Sequence, residues 1–174
     1  MSNFESLGLS NNILRAIKNE GYTTPTPVQE LAIPLLVKGR DVLGVAQTGT
    51  GKTAAFALPV LQKLSLSKPS GKRNIRALIL SPTRELAAQI DQRFFVYSKY
   101  IDIRHKVIFG GVSQKPQVQS LRNELAKSAI DDGIVALKSK FCLSLGRIFN
   151  TFLISLINPI SSILSASSKT KNST

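Results

Sequence analysis

Two hydrophobic rhythms alternate along the first two thirds of the chain. Residues 11–20, NNILRAIKNE, place Ile13, Leu14 and Ile17 at helical spacing. Ser10 stands at the N-cap position, and Gly21 stops the helix. The turn Thr24-Pro25-Thr26-Pro27 opens a second helix over 28–37, with proline where a first helical turn tolerates it. Short apolar runs at 42–46, 75–80 and 105–109 read as strands, the first two as buried ones, since a strand covered on both faces needs no polar alternation. Helices are predicted over 52–64 and 84–100, with a polar, basic loop at 65–74. Gly110-Gly111 ends the third strand. Strand alternating with helix predicts an α/β fold: a parallel sheet with flanking helices. There is no internal repeat.

The rhythm is lost after Arg122. From residue 133 to 174 there is no acidic side chain, and serines are scattered without helical or strand periodicity. Residues 165–174 are of low complexity. Residues 148–164 are uncharged and largely apolar, but fall short of the ~20 residues of a membrane helix. They also contain Asn158 and Pro159 and follow Arg147 directly. A membrane anchor is therefore not expected.

Composition sharpens the picture in two respects. A chain of 174 residues with 43% hydrophobic content suggests one ordinary domain, and it can bury roughly 70% of its unfolded surface. Its 23 Lys and Arg against 10 Asp and Glu give a net charge of +13, which favours a polyanionic partner, most often nucleic acid. The single Cys142 excludes an internal disulfide, and the single His105, read as a strand-edge residue, forms no metal cluster with it. No charged start followed by an apolar run marks a signal peptide. A cytoplasmic, reducing setting is expected.

The strongest chemical signal is AQTGTGKT: Ala46, Gln47, Thr48, Gly49, Thr50, Gly51, Lys52 and Thr53. It follows a predicted strand and opens a predicted helix, the context a phosphate loop requires. Gly49 and Gly51 let the backbone curl so that its amides and the helix start face phosphate oxygens. Lys52 would reach the β- and γ-phosphates, and the Thr53 hydroxyl would hold Mg²⁺. Ala46 replaces the first glycine of the general pattern. Upstream stands GYTTPTPVQ, residues 21–29. A glutamine amide can pair with adenine at N6 and N7, whereas guanine shows O6 at that edge. Gln29 could thus select ATP, although read alone it is a surface helix residue. Thr83 and Arg84 stand where strand gives way to helix; amides, hydroxyl and guanidinium there can hold phosphate, or Thr83 can simply cap.

Taken together these segments resemble the N-terminal part of a DEAD-box ATP-dependent RNA helicase, most similar to the RhlE-like type. Phe4 with LGLS resembles the family's upstream aromatic. GYTTPTPVQ, with Tyr22 and Gln29, resembles its adenine-reading Q motif. AQTGTGKT resembles motif I, and PTRELA, with Pro82, Thr83 and Arg84, resembles motif Ia. Gly110 and Gly111 resemble the glycine pair that touches RNA backbone. The resemblance spans about residues 2–122. It implies a partial RecA-like domain, ATP and Mg²⁺ as cofactors, and single-stranded RNA held through its backbone, hence without sequence preference. It divides the chain into a Q-motif region (1–30), a partial ATP-binding domain (31–122) and a divergent tail (123–174).

The family pattern also requires a TPGR-like RNA contact, the Asp-Glu-Ala-Asp box, a Ser-Ala-Thr motif and a second RecA-like domain. None occurs in these residues; the acids beyond Arg122 are Glu124, Asp131 and Asp132. DDGIVAL echoes the family's next strand, but KSK follows where TPGR should. From Asn123 the chain resembles translation in a displaced frame, or past a rearrangement, after a helicase start. The encoding DNA, read in its other frames past the codon for Arg122, is expected to give VATPGR and then DEAD. Three frames without these words would overturn that account. ATP and RNA binding without hydrolysis or unwinding is therefore expected. A non-catalytic ATP- and RNA-binding module and a membrane-tethered interaction protein stand as alternatives.

Overall fold

The computed structural model describes residues 3–67, 75–126, 133–137 and 151–154. A 3-10 turn at Phe4–Leu7 leads into helix α1 (Asn11–Asn19) and α2 (Pro27–Val37). Strand β1 (Val42–Val45), α3 (Lys52–Leu66), β2 (Ile75–Leu80), α4 (Arg84–Tyr97) and β3 (Arg104–Ile108) follow. The last described elements are α5 (Gln114–Ala126), β4 (Gly133–Leu137) and β5 (Thr151–Ile154).

Helix α3 forms the centre of the core. Every side chain from Ala54 to Gln62 is buried, the behaviour of a helix that is apolar all round. It packs against α2 and α4, whose Ile33, Leu36, Phe94 and Tyr97 join Ile13 and Ile17 of α1. The polar Gln62 is satisfied by the chain's start: its Oε1 accepts from the Ser10 N–H at 2.9 Å and its Nε2 donates to the Gly8 carbonyl at 3.4 Å. Ser10 does occupy the N-cap of α1, but its side chain makes no cap bond. Gly21 takes a left-handed φ of 78° just past α1.

Helix α4 ends at Tyr97, three residues before the expected stop. Tyr100 instead turns back onto α1, where Asn19 Nδ2 donates to its hydroxyl at 2.6 Å and the Arg15 guanidinium lies 4.2 Å from its ring centre. Tyr97 and Tyr22 share a hydroxyl–hydroxyl bond of 2.8 Å. Burial, and then that bond, push the Tyr97 hydroxyl above the phenol range. The sign follows: neutral Tyr97 is compatible with the fold up to the ordinary phenol pKa of about 10, and stability is lost as pH rises beyond it.

The sheet departs from expectation. Strands β2, β4 and β3 form a parallel sheet in that order, with Ala136 of β4 opposite both Ile79 and Val107. The central strand is thus GIVAL, from the segment where the sequence pattern breaks. Strand β1 was expected in the same parallel sheet. It pairs instead with β5, antiparallel, Val42 opposite Ile154 and Val45 opposite Thr151. A strand's backbone groups need partners, and the apolar TFLI segment supplies them on one edge of β1. Leu43 and Val45, two residues apart and so on one face, remain 66% and 71% exposed. Strand β3 begins at Arg104, one residue earlier than expected, and lies at a sheet edge. Its exposed Arg104 and Lys106 place charge along that edge, which discourages further pairing. His105 Nδ1 lies 2.6 Å from Asp91 Oδ1, joining β3 to α4. Helix α5 was not anticipated. Most of the apolar 148–164 stretch and all of 165–174 lie outside the described residues. No helix among the described residues is long and apolar enough to cross a membrane.

Candidate nucleotide and RNA sites

The loop between β1 and α3 is bound tightly to the turn before α2. Thr26, the N-cap of α2, donates its hydroxyl proton to the Thr50 carbonyl at 2.8 Å. Gln29 lies one turn into α2 and is 1% exposed. Its Oε1 accepts from the Thr26 N–H at 3.0 Å, the reciprocal half of a capping box. Its Nε2 donates to the Gly51 carbonyl at 3.1 Å, which also accepts the first helical bond of α3 from the Ala55 N–H. Gln29 is therefore a buried brace, not a surface residue, and one side chain joins the helix start of α2 to that of α3. An amide has two donors and two acceptor sites, so each end retains capacity for one more bond.

Gly51 caps α3 at φ 83°, and a Cβ there would lie 2.3 Å from Gln29 Nε2. Gly49 has a similar φ of 82°, with open space around it. Gln47, Thr48 and Gly49 are exposed. Lys52 folds back over the loop, its ammonium donating to the Ala46 carbonyl at 2.6 Å and to the Gln47 carbonyl. Thr50 closes the turn with a 2.8 Å bond to the Gln47 carbonyl. Lys52 and Thr53 form the first turn of α3, where no acidic residue stands. A cationic side chain, a helix start and an acid-free first turn suit a polyphosphate. Mg²⁺ prefers a few protein ligands together with phosphate oxygens and water. Thr53 fits as one such ligand, with the nucleotide supplying others. Phe4 and Tyr22 contact core aromatics: Phe4 is 4% exposed and meets Tyr22 edge-on at 6.1 Å, as Tyr22 meets Tyr97.

The second group of residues gathers at the other strand ends. Because β2 and β3 both run parallel to β4, the segments following them emerge at the same end of the sheet. Pro82 and Thr83 follow β2, and Gly110 and Gly111 follow β3. Thr83 caps α4, its Oγ1 accepting from the Leu86 N–H at 3.2 Å, while Pro82 and Thr83 remain exposed. The capping role read from sequence is real, and it leaves the residue at the surface. Gly111 sits at φ 76°, and a Cβ there would lie 2.4 Å from Arg84 Nη2. The two segments thus meet as glycine backbone against guanidinium. Sequence reasoning missed two participants. The Thr-x-x-Gln spacing of a capping box would have found Thr26. Gln117, on α5, lay in a segment whose helix went unread.

Comparison with known proteins places these features. A model of the DEAD/DEAH box helicase family matches residues 26–140, which carries the likeness past Arg122 and through β4. The chain is 46% identical over 119 residues to the ATP-dependent RNA helicase CshA of Limosilactobacillus reuteri, covering 68% of this chain and 23% of that protein. It is 46% identical over 140 residues to the ATP-dependent RNA helicase dbp10 of Schizosaccharomyces pombe, covering 80% and 16%. The RNA helicase Prp28 of Chaetomium thermophilum, solved bound to ADP, superposes with a TM-score of 0.66 at 36% identity, covering 87% of this chain and 36% of that one. The chain thus spans a quarter or less of the length of the first two of these proteins and about a third of the third. The chain belongs to the DEAD/DEAH box helicase family.

Proposed function

We propose that these residues bind ATP with Mg²⁺ through the β1–α3 loop, and the backbone of single-stranded RNA through Thr83–Arg84 and Gly110–Gly111, without completing hydrolysis. The observation that carries this reading is the double tie of Thr26 to Thr50 and of Gln29 to Gly51. It couples the turn that resembles an adenine reader to the loop that resembles a phosphate cradle. Gln29's remaining donor and acceptor are the pair that adenine N7 and N6 require. Lys52 exchanges the carbonyls of Ala46 and Gln47 for the β- and γ-phosphates. Thr53 holds Mg²⁺, which would draw charge from the phosphate oxygens. The similarity to a helicase bound to ADP supports an adenine nucleotide, and the net charge of +13 supports a nucleic-acid partner.

The test is competition against a fluorescent ATP analogue on the full chain. ATP and ADP are expected to displace the probe and GTP to do so weakly, and Lys52→Ala is expected to abolish binding. Equal displacement by GTP, or unchanged binding in Lys52→Ala, would remove the reading.

A further inference from the structure

Helix α5 carries a side chain that holds both ends of the glycine turn. Phe109 is the residue at which the chain leaves β3. Its N–H donates to Gln117 Oε1 at 2.8 Å, and its carbonyl accepts from Gln117 Nε2 at 3.0 Å. The same Nε2 donates to the Ser113 carbonyl at 3.3 Å. One carboxamide therefore satisfies both backbone groups of Phe109, as a neighbouring strand would, and fastens the far end of the turn as well. Between those anchors lie Gly110, Gly111 and Val112, with Gly111 held at a left-handed φ against the Arg84 guanidinium. A turn containing two glycines has many conformations to lose. A single clamp at both ends removes much of that freedom before any ligand arrives.

We propose that Gln117 is the positioning residue of the RNA contact: its amide presets the Gly110–Gly111 backbone beside Arg84, so that RNA binding does not have to order the turn. The proposal rests on the reading of Thr83–Arg84 and Gly110–Gly111 as an RNA site. It also accounts for a glutamine, which must accept from one backbone group and donate to two others. Glutamate can only accept when ionised, and methionine, of similar length, can do neither.

The experiment is fluorescence anisotropy of a labelled oligouridylate on the full chain, at low salt, for wild type, Arg84→Ala, Gln117→Met and Gln117→Glu. Nucleotide affinity serves as the folding control, since α5 carries no residue of the nucleotide loop. Arg84→Ala should weaken RNA binding. Gln117→Met should weaken it roughly tenfold at unchanged nucleotide affinity, the size of about one ordinary hydrogen bond, because only part of the clamp's energy reaches the RNA contact. Gln117→Glu should be weaker than wild type by a similar factor at pH 7. Its deficit relative to wild type should shrink as pH falls towards the carboxyl pKa of about 4.3, where the protonated group regains a donor. Oligouridylate has no base that protonates in that range, and the ratio to wild type cancels changes common to both chains. If Gln117→Met binds RNA as wild type does while Arg84→Ala does not, the clamp is wrong and the RNA site stands. If Arg84→Ala has no effect, the site reading falls and the clamp with it. Should Gln117→Met fail to fold, Gln117→Glu decides: a deficit that stays constant with pH overturns the proposal.

Discussion

Gly51→Ala is expected to destabilise the chain by about 3 kcal/mol and to abolish ATP binding. Two costs combine. At φ 83° an alanine sits in the left-handed region, which costs roughly 1–2 kcal/mol for a residue with a Cβ. The new methyl would also lie 2.3 Å from Gln29 Nε2. A free glutamine would swing aside at little cost, but Gln29 is 1% exposed and bonded at both ends. Pushing it away orphans a buried donor, at roughly 1–3 kcal/mol. Against a total stability of about 5–15 kcal/mol the loss is large, and the displaced loop no longer presents Lys52. Gly49→Ala is the control. Its φ is nearly the same at 82° but nothing lies within 4 Å of the added carbon, so it should show the backbone cost alone. Chemical denaturation of both variants, and of Gly51→Ala in a Gln29→Ala background, separates the terms. Equal destabilisation by the two alanines would show that Gln29 is not a brace.

That brace marks the limit of what the sequence disclosed. The order of strands and helices was legible as far as β3, because hydrophobic period and helix caps are local properties. The phosphate loop was legible for the same reason: glycine, lysine and threonine at fixed spacing between a strand and a helix carry their own chemistry. Gln29 was harder. Its type suits either a solvated helix face or a buried bridge, and the choice depends on Gly51, 22 residues away in sequence. The pairing of β1 was not legible at all. Val42–Val45 reads as buried and parallel from its apolar run, yet its partner is Thr151–Ile154, which lies in a segment without periodicity. GIVAL was read as an echo of a family strand, and it occupies the centre of the three-stranded sheet. Helix α5 was missed because its apolar positions are few and its Val118 stays exposed.

A chain of these 174 residues is expected neither to hydrolyse ATP at a useful rate nor to unwind RNA. Phosphoryl transfer depends on positioned Mg²⁺, an oriented water and cationic stabilisation of the transition state. Lys52 and Thr53 supply part of that set. The sequence Asp-Glu-Ala-Asp occurs nowhere in the chain. Asp131 and Asp132 are the one adjacent acidic pair beyond Arg122, and they lie outside the described residues. Neither stands in an Asp-Glu-Ala-Asp sequence: they are followed by Gly133 and Ile134. Ligands of open α/β sheets sit at the carboxyl ends of the strands, and it is there that Thr83 and Gly110 follow β2 and β3. An arginine completing the site from a second domain is worth roughly 10³–10⁵ in rate, and none of these residues matches such a motif. Unwinding needs a second domain to close on the strand, and no segment here resembles one. The measurement is RNA-stimulated phosphate release by the purified chain, with Lys52→Ala as the control. No release above that control is expected. Turnover of about 1 s⁻¹, an ordinary enzyme rate, that vanishes in Lys52→Ala would overturn the expectation and make Asp131→Asn and Asp132→Asn the next variants to assay.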